Sequence, residues 1–411
     1  MNQPDVRLPV EITISPAKLP QPDLPERRLR RGGALLLLYL LFQAEFGLAW
    51  DRSWHDYLGR DQFWIPPHIL TYTGLGVAGF VALFLVLIET YRYYQRKPGV
   101  DNSSTVRVLG FFRAPLGFIM LGFGTLIDFI AAPLDNYWHV LYGIDVTLWS
   151  PFHLMGTVGS VFAGLGLLYA LSSEVVVART SEHISRRWLG FNGPEWATLF
   201  LFGLHLGLTF VALTAFKIVM IGSLAVITYP VVLAFPAAMG MVGATQQTRK
   251  VGSATAVALF IWVIAGLMQL FVWWALHVGS AIGHIPWRHD REPYFNVVFV
   301  ILPVYYLLCA LLVDGTFYWQ NRKNTVKAPL RRSWMLGIPI SLLAILVPTA
   351  ITRLLHLLLP QLPFPGDVYQ TLMLDTVWPT MLAGLPLTLI LSVASALGGS
   401  ALGNVWYRNR H

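Results

Sequence analysis

Two stretches of the chain carry the same metal-ligating side chains at nearly the same spacing. Residues 51 to 68 read DRSWHDYLGRDQFWIPPH and residues 135 to 153 read DNYWHVLYGIDVTLWSPFH. Asp51, Trp54, His55, Gly59, Asp61, Trp64, Pro66 and His68 match Asp135, Trp138, His139, Gly143, Asp145, Trp149, Pro151 and His153, with one extra residue between Asp145 and Trp149. An Asp and a His four apart share one face of a helix, a turn from each other. If the last His folds back over that face, each copy offers one carboxylate and two imidazoles. That donor set suits Cu(II), Zn(II) or non-haem Fe(II) and leaves open positions for a ligand or for metal exchange. Asp61 and Asp145 are candidates to orient a His ring through its second nitrogen. The plainer reading of each stretch is an interfacial cap in which Asp and His satisfy each other and the loop backbone.

The elements that must position these residues are membrane helices. The chain has 411 residues, 55% hydrophobic and 12% charged, with mean hydropathy +0.58. Apolar runs of 18 or more residues recur along it, each long enough to cross about 30 Å of hydrocarbon as a helix. Ten spans are expected, near 33–50, 66–91, 108–132, 151–177, 195–215, 218–244, 252–276, 294–316, 335–357 and 372–403. Basic residues fall in alternate connections: Arg27, Arg28, Arg30 and Arg31 before the first span, then Arg92, Arg96, Lys97 and Arg107, then Arg179, Arg186 and Arg187. The series continues with Arg249 and Lys250, then Arg322, Lys323, Lys327, Arg331 and Arg332, and ends with Arg408 and Arg410. By the positive-inside rule the chain enters and leaves on the cytoplasmic side, in an all-α polytopic bundle. The net charge of +8 is then topological, with no need to invoke nucleic acid. Both copied stretches become outward turns, joining spans one and two and spans three and four. Pro66 and Pro151 sit where a returning helix begins, a position proline tolerates. Trp54, Trp64, Trp138 and Trp149 fit an aromatic belt at the outer interface.

Each copy follows an acidic residue within an apolar run, Glu45 and Asp128, and precedes a glycine six residues beyond its last His, Gly74 and Gly159. So many matched positions in one register read as an internal duplication. The expected layout is a disordered, proline-rich cytoplasmic tail over 1–32, a duplicated pair of hairpins over 33–177, a cytoplasmic loop over 178–194 and a second bundle over 195–411. Cys309 is the single cysteine, so neither an intrachain disulfide nor a cysteine metal site is expected.

The first copy resembles the metal-site segment found in one membrane subunit of the copper membrane monooxygenases, the particulate methane and ammonia monooxygenases. The resemblance rests on DxxxH, twelve residues and a final His, with WH, an Asp six after the first His and a Pro two before the last. It implies Asp51, His55 and His68 as ligands, copper as the metal, and an oxidoreductase in a complex with other membrane subunits. The second copy matches through Asp135, Trp138, His139, Asp145 and Pro151, with His153 one residue later. The likeness covers about 20 residues of each copy. Zinc and iron are the alternatives from ligand type, and a metal transporter, a metal-delivery protein or a structural subunit the alternatives in function. Glu45 and Asp128, about two turns deeper than the motifs, are the second tier of candidates.

In the second half, HVGSAIGHIPWRHD supplies His277, His284, His289 and Asp290, better read as a solvated polar turn than as a metal site. His205, in the middle of the fifth span, reads as hydrogen-bonded between helices. The setting expected is the inner membrane of a prokaryotic cell.

Overall fold

The computed structural model describes residues 24–59, 62–143, 150–180, 187–207, 218–221, 224–227, 229–295, 303–324, 327–359 and 377–408. Among these the chain is helical almost throughout. Helices α1 (Leu24–Tyr57) and α2 (Pro66–Tyr94) form one hairpin, α3 (Leu116–Tyr142) and α4 (Pro151–Thr180) a second. Strands β1 (Val106–Val108) and β2 (Phe112–Ala114) form a small antiparallel ribbon between the hairpins. There follow α5 (Gly193–Gly207), strands β3 (Ile218–Ile221) and β4 (Leu224–Ile227), and α6 (Tyr229–Thr248). Helices α7 (Ser253–Gly283), α8 (Val304–Asn321), α9 (Gly337–Leu358) and α10 (Val377–Arg408) complete the bundle.

Seven helical stretches among the described residues are long and apolar enough to cross a membrane, in α1, α2, α3, α4, α7, α9 and α10. Three of the ten expected spans come out differently. Residues 218–221 and 224–227 pair as the antiparallel strands β3 and β4 instead of opening a helix, and α6 begins at Tyr229. That stretch is rich in β-branched Ile and Val, which favour strands, and Pro230 is tolerated in the first turn of the helix that follows. The fifth expected span gives the 15-residue α5, with 208–217 outside the described residues. The eighth gives the 18-residue α8, whose buried Asp314 accepts hydrogen bonds from the Ala254 and Thr255 backbone N–H groups and the Thr255 hydroxyl. Asp314 therefore caps the start of α7, where the free N–H groups of a helix end need an acceptor.

Large apolar side chains cover the outside of the bundle. Phe80, Leu83, Phe84 and Leu87 on α2 are exposed, as are Phe129 and Val140 on α3. On helices long and apolar enough to cross a membrane, such a surface fits against lipid. The chain is a multi-pass membrane protein. Helix α1 starts at Leu24, well inside the stretch expected to be a tail; residues 1–23 lie outside the described set. Its first turns are fastened by Arg30, which grips both carboxylate oxygens of Glu89 at 3.0 and 2.9 Å, pairs with Glu26 and donates to the Ser104 hydroxyl. A bidentate guanidinium–carboxylate pair is geometrically demanding, which fixes α1 against α2.

The two hairpins pack in the same register. Positions in α1 and α3 correspond with an offset of 84 (51 + 84 = 135), and positions in α2 and α4 with an offset of 85 (68 + 85 = 153). A Cβ on Gly74 would meet the Leu40 carbonyl oxygen at 2.8 Å, and one on Gly159 would meet the Gly124 carbonyl oxygen at 2.8 Å. Those four residues obey both offsets. Gly33 against Leu85 corresponds to Gly117 against Ala170, and Gly47 against Thr71 to Ala131 against Gly156. At Gly47, Gly74, Gly117 and Gly159 the glycine lets backbones approach, the close packing that stabilises helices in lipid.

Candidate metal centres

Each hairpin turn gathers its three predicted residues. Tight turns end the outgoing helices: Gly59 and Gly143 have φ of +69° and +85°, values that glycine adopts without the strain a side chain would bring. The returning helices open on Pro66 and Pro151, so that His68 and His153 project from the first turn over the Asp of the outgoing helix.

In the first turn, Asp51 Oδ1 lies 3.6 Å from His55 Nε2 and 3.1 Å from His68 Nε2. In the second, Asp135 Oδ2 lies 3.2 Å from His139 Nε2 and 3.1 Å from His153 Nε2. One ligating atom from each residue falls within 4.8 Å of the others in each triad, and the six residues form two groups of three. All six are partly buried; the most open is His153, with 34% of its side chain exposed.

The other ring nitrogens fix what these contacts can be. His68 Nδ1 lies 3.1 Å from the Gln62 carbonyl oxygen, and His139 Nδ1 lies 3.3 Å from that of Gly143. A carbonyl oxygen only accepts, so each Nδ1 donates to it, and a ring that carries this proton alone turns its Nε2 lone pair toward the carboxylate, where it can bind a cation. A metal ion between the Nε2 atoms and the carboxylate would satisfy both sets of lone pairs. Asp51 Oδ1 is buried and has no hydrogen-bond partner among the described residues, although two imidazoles flank it. Donor type, tautomer and orphaned oxygen thus fit a metal ion.

The two turns differ in support. Ser150 Oγ accepts the His153 backbone N–H at 3.2 Å and donates to Asp135 Oδ1 at 3.3 Å, capping α4 and holding the carboxylate together. The equivalent position before α2 is Ile65, which makes no side-chain cap. The first turn is instead covered from the second half of the chain. Arg288 Nη1 donates to the His55 carbonyl at 3.0 Å, and a Cβ on Gly59 would lie 2.9 Å from the Arg288 side chain.

The remaining candidates are placed elsewhere. Glu45 pairs with His205 and Asp128 with Ser160, neither with a triad. Asp61 and Asp145 lie outside the described residues, as does Trp149. His277 bonds the Trp273 carbonyl and Glu292; His284 ends α7 in a left-handed conformation; His289 is exposed. Trp54 is no belt residue. It is 2% exposed and packs on Gly279, where a Cβ would come within 2.7 Å of its ring, while Trp64 is 71% exposed. The reach of Arg288 over the first turn has no signature in the sequence, because it depends on how the two halves pack. Comparison of the chain with protein-family models, curated proteins and solved structures finds no match.

Proposed function

We propose that this chain is a membrane-embedded metalloprotein holding one metal ion in each Asp/His/His triad at the outer face of a prokaryotic inner membrane. The single observation that carries the reading is the paired imidazole Nε2 atoms around one carboxylate oxygen, formed twice, with the opposite Nδ1 of His68 and His139 committed to a backbone carbonyl. Copper is the first assignment, from the resemblance of the ligand pattern to the metal-site segment of the copper membrane monooxygenases. Zinc and iron accept the same donors.

Two imidazoles and a carboxylate leave a bound ion open positions, at which copper supplies Lewis-acid and one-electron chemistry. Asp51 and Asp135 provide the anionic ligand, and the backbone carbonyls that hold Nδ1 orient the rings. The activity that follows is an oxidoreductase related in its site to the copper monooxygenases, working with other membrane subunits. Metal capture and delivery is the second reading, favoured by the partial exposure of His153, which keeps an ion exchangeable. The shared register of the two hairpins supports descent from one duplicated hairpin. The distribution of basic residues supports cytoplasmic termini and accounts for the net charge without invoking nucleic acid.

The test is metal content by mass spectrometry on protein purified in mild detergent without a histidine tag. Two equivalents are expected in the wild type and one in His55→Ala or His139→Ala. A folded wild type that holds no metal after reloading would reduce both turns to structural caps. With metal bound, reduction of the ion by a small-molecule donor distinguishes the oxidoreductase from the carrier.

A further inference from the structure

Inside the bundle, where α1 and α5 meet, Glu45 and His205 form a pair that is only half satisfied. His205 Nδ1 lies 2.7 Å from Glu45 Oε1. The far atoms, His205 Nε2 and Glu45 Oε2, are both buried and have no hydrogen-bond partner among the described residues. Glu45 is 5% exposed. Across from the ring stands Gly164 of α4, where a Cβ would collide with Nε2, so the imidazole rests on bare backbone. Polar atoms left without partners at membrane depth are costly, and a buried ion pair without further hydrogen bonds is commonly less stable than an apolar pair of similar volume. A purely structural contact would not leave both outer atoms open.

One face of α4 leads from this pair to the outer end of the bundle. His153, Thr157, Ser160 and Gly164 follow at spacings of four, three and four, which keeps them on one side of the helix over about 16 Å. Ser160 Oγ lies 3.4 Å from both carboxylate oxygens of Asp128. Beyond Gly164 the helix buries Leu167, Leu168 and Leu171, so the polar face ends at the Glu45–His205 pair.

We propose that Glu45 and His205 are a proton-exchanging site within the membrane, reached from the outer end along this face of α4, with Asp128 beside the route. The ligand is the proton. In the unloaded state Glu45 is a carboxylate and His205 a neutral ring donating from Nδ1. A proton arriving at Nε2 forms an N–H bond there, and the Nδ1 proton passes to Glu45 Oε1, leaving a neutral imidazole and a carboxylic acid. No other bond changes. His205 is the titratable group that faces Glu45 directly. On the surrounding helices, Glu89 of α2 is engaged by Arg30, Asp128 of α3 by Ser160, Glu174 of α4 lies beyond the leucines, and His277 of α7 is paired with Glu292. The proposal stands whether or not the triads hold metal.

Infrared difference spectra between acidic and alkaline buffers, taken on the full-length protein in lipid bilayers, test it. The expected signal is a carboxylic-acid C=O band that appears on acidification and shifts in D2O. It is lost in Glu45→Gln, displaced in His205→Gln, and distinct from any band lost in Asp128→Asn. Gly164→Ala, which puts a methyl against Nε2, and Ser160→Val slow its hydrogen–deuterium exchange. A pH-sensitive carboxyl spectrum that Glu45→Gln leaves intact overturns the site, and exchange unchanged in both α4 variants overturns the route. Should Glu45→Gln fail to fold, 15N-histidine NMR of the wild type, assigned with His205→Gln, reads the same event. An Nε2 resonance of His205 that ignores pH overturns the proposal.

Discussion

Ser150 joins the start of one helix to the triad carboxylate of another: its hydroxyl takes the N–H of His153 at 3.2 Å and gives its own proton to Asp135 Oδ1 at 3.3 Å. Ser150→Ala removes an N-cap, at a cost of about 1 kcal/mol. It also frees the carboxylate, and loss of such a supporting bond typically weakens a metal site by about 10- to 100-fold. Metal titration should show the second triad weakened and the first unchanged.

Arg288 offers the converse test. Its guanidinium holds the His55 carbonyl and its stem lies over Gly59, so it covers the first triad alone. Arg288→Ala should speed release of one of the two ions to an external chelator and leave the other rate as in the wild type. Two rates accelerated together would mean that the turns are coupled.

The helix crossings predict a pattern of glycine sensitivity. A methyl at Gly74 would lie 2.8 Å from the Leu40 carbonyl oxygen, and one at Gly124 would collide with the Ala163 backbone nitrogen. Gly74→Ala and Gly124→Ala should each destabilise by roughly 1–3 kcal/mol, the usual cost of overpacking. Gly76 on α2 meets nothing within 4 Å, and Gly76→Ala should be neutral or stabilising by up to about 1 kcal/mol through helix propensity. Thermal unfolding in detergent ranks the three.

Trp54 fills space between the first triad's helix and α7, ring against Gly279. Trp54→Ala should cost about 3–5 kcal/mol, in the range of large core truncations. The exposed Trp64→Ala should change stability by no more than a few tenths of a kcal/mol. If both variants unfold alike, the contact between the first hairpin and α7 is not what holds that end of the bundle.

The triads were legible in the sequence because their spacing is local. Asp and His four apart must share a helix face, and a proline-started helix two turns of chain later must return its first residues to the same end. Composition likewise determined the membrane setting. Glu45 and Asp128 show where that reasoning stops. Each precedes its motif within an apolar run and looks like the counterpart of the other, yet 45 + 84 is 129, one residue past Asp128. One residue turns a side chain by about 100° around a helix. Glu45 therefore faces His205 on α5, 160 residues away, while Asp128 faces Ser160 on its own partner helix.

The sequence by itself determined the apolar helices, the two Asp/His/His sets and the glycines that let each hairpin close, since all of these follow from spacing along one or two adjacent elements. Tertiary structure alone decided that the six Asp and His residues make two triads, that Arg288 covers one of them and that a half-satisfied Glu45–His205 pair lies below. It also paired residues 218–221 with 224–227 as antiparallel strands. These depend on which faces of distant helices meet, and hydrophobicity, the main signal in a membrane sequence, is nearly the same on every face turned to lipid or to another helix.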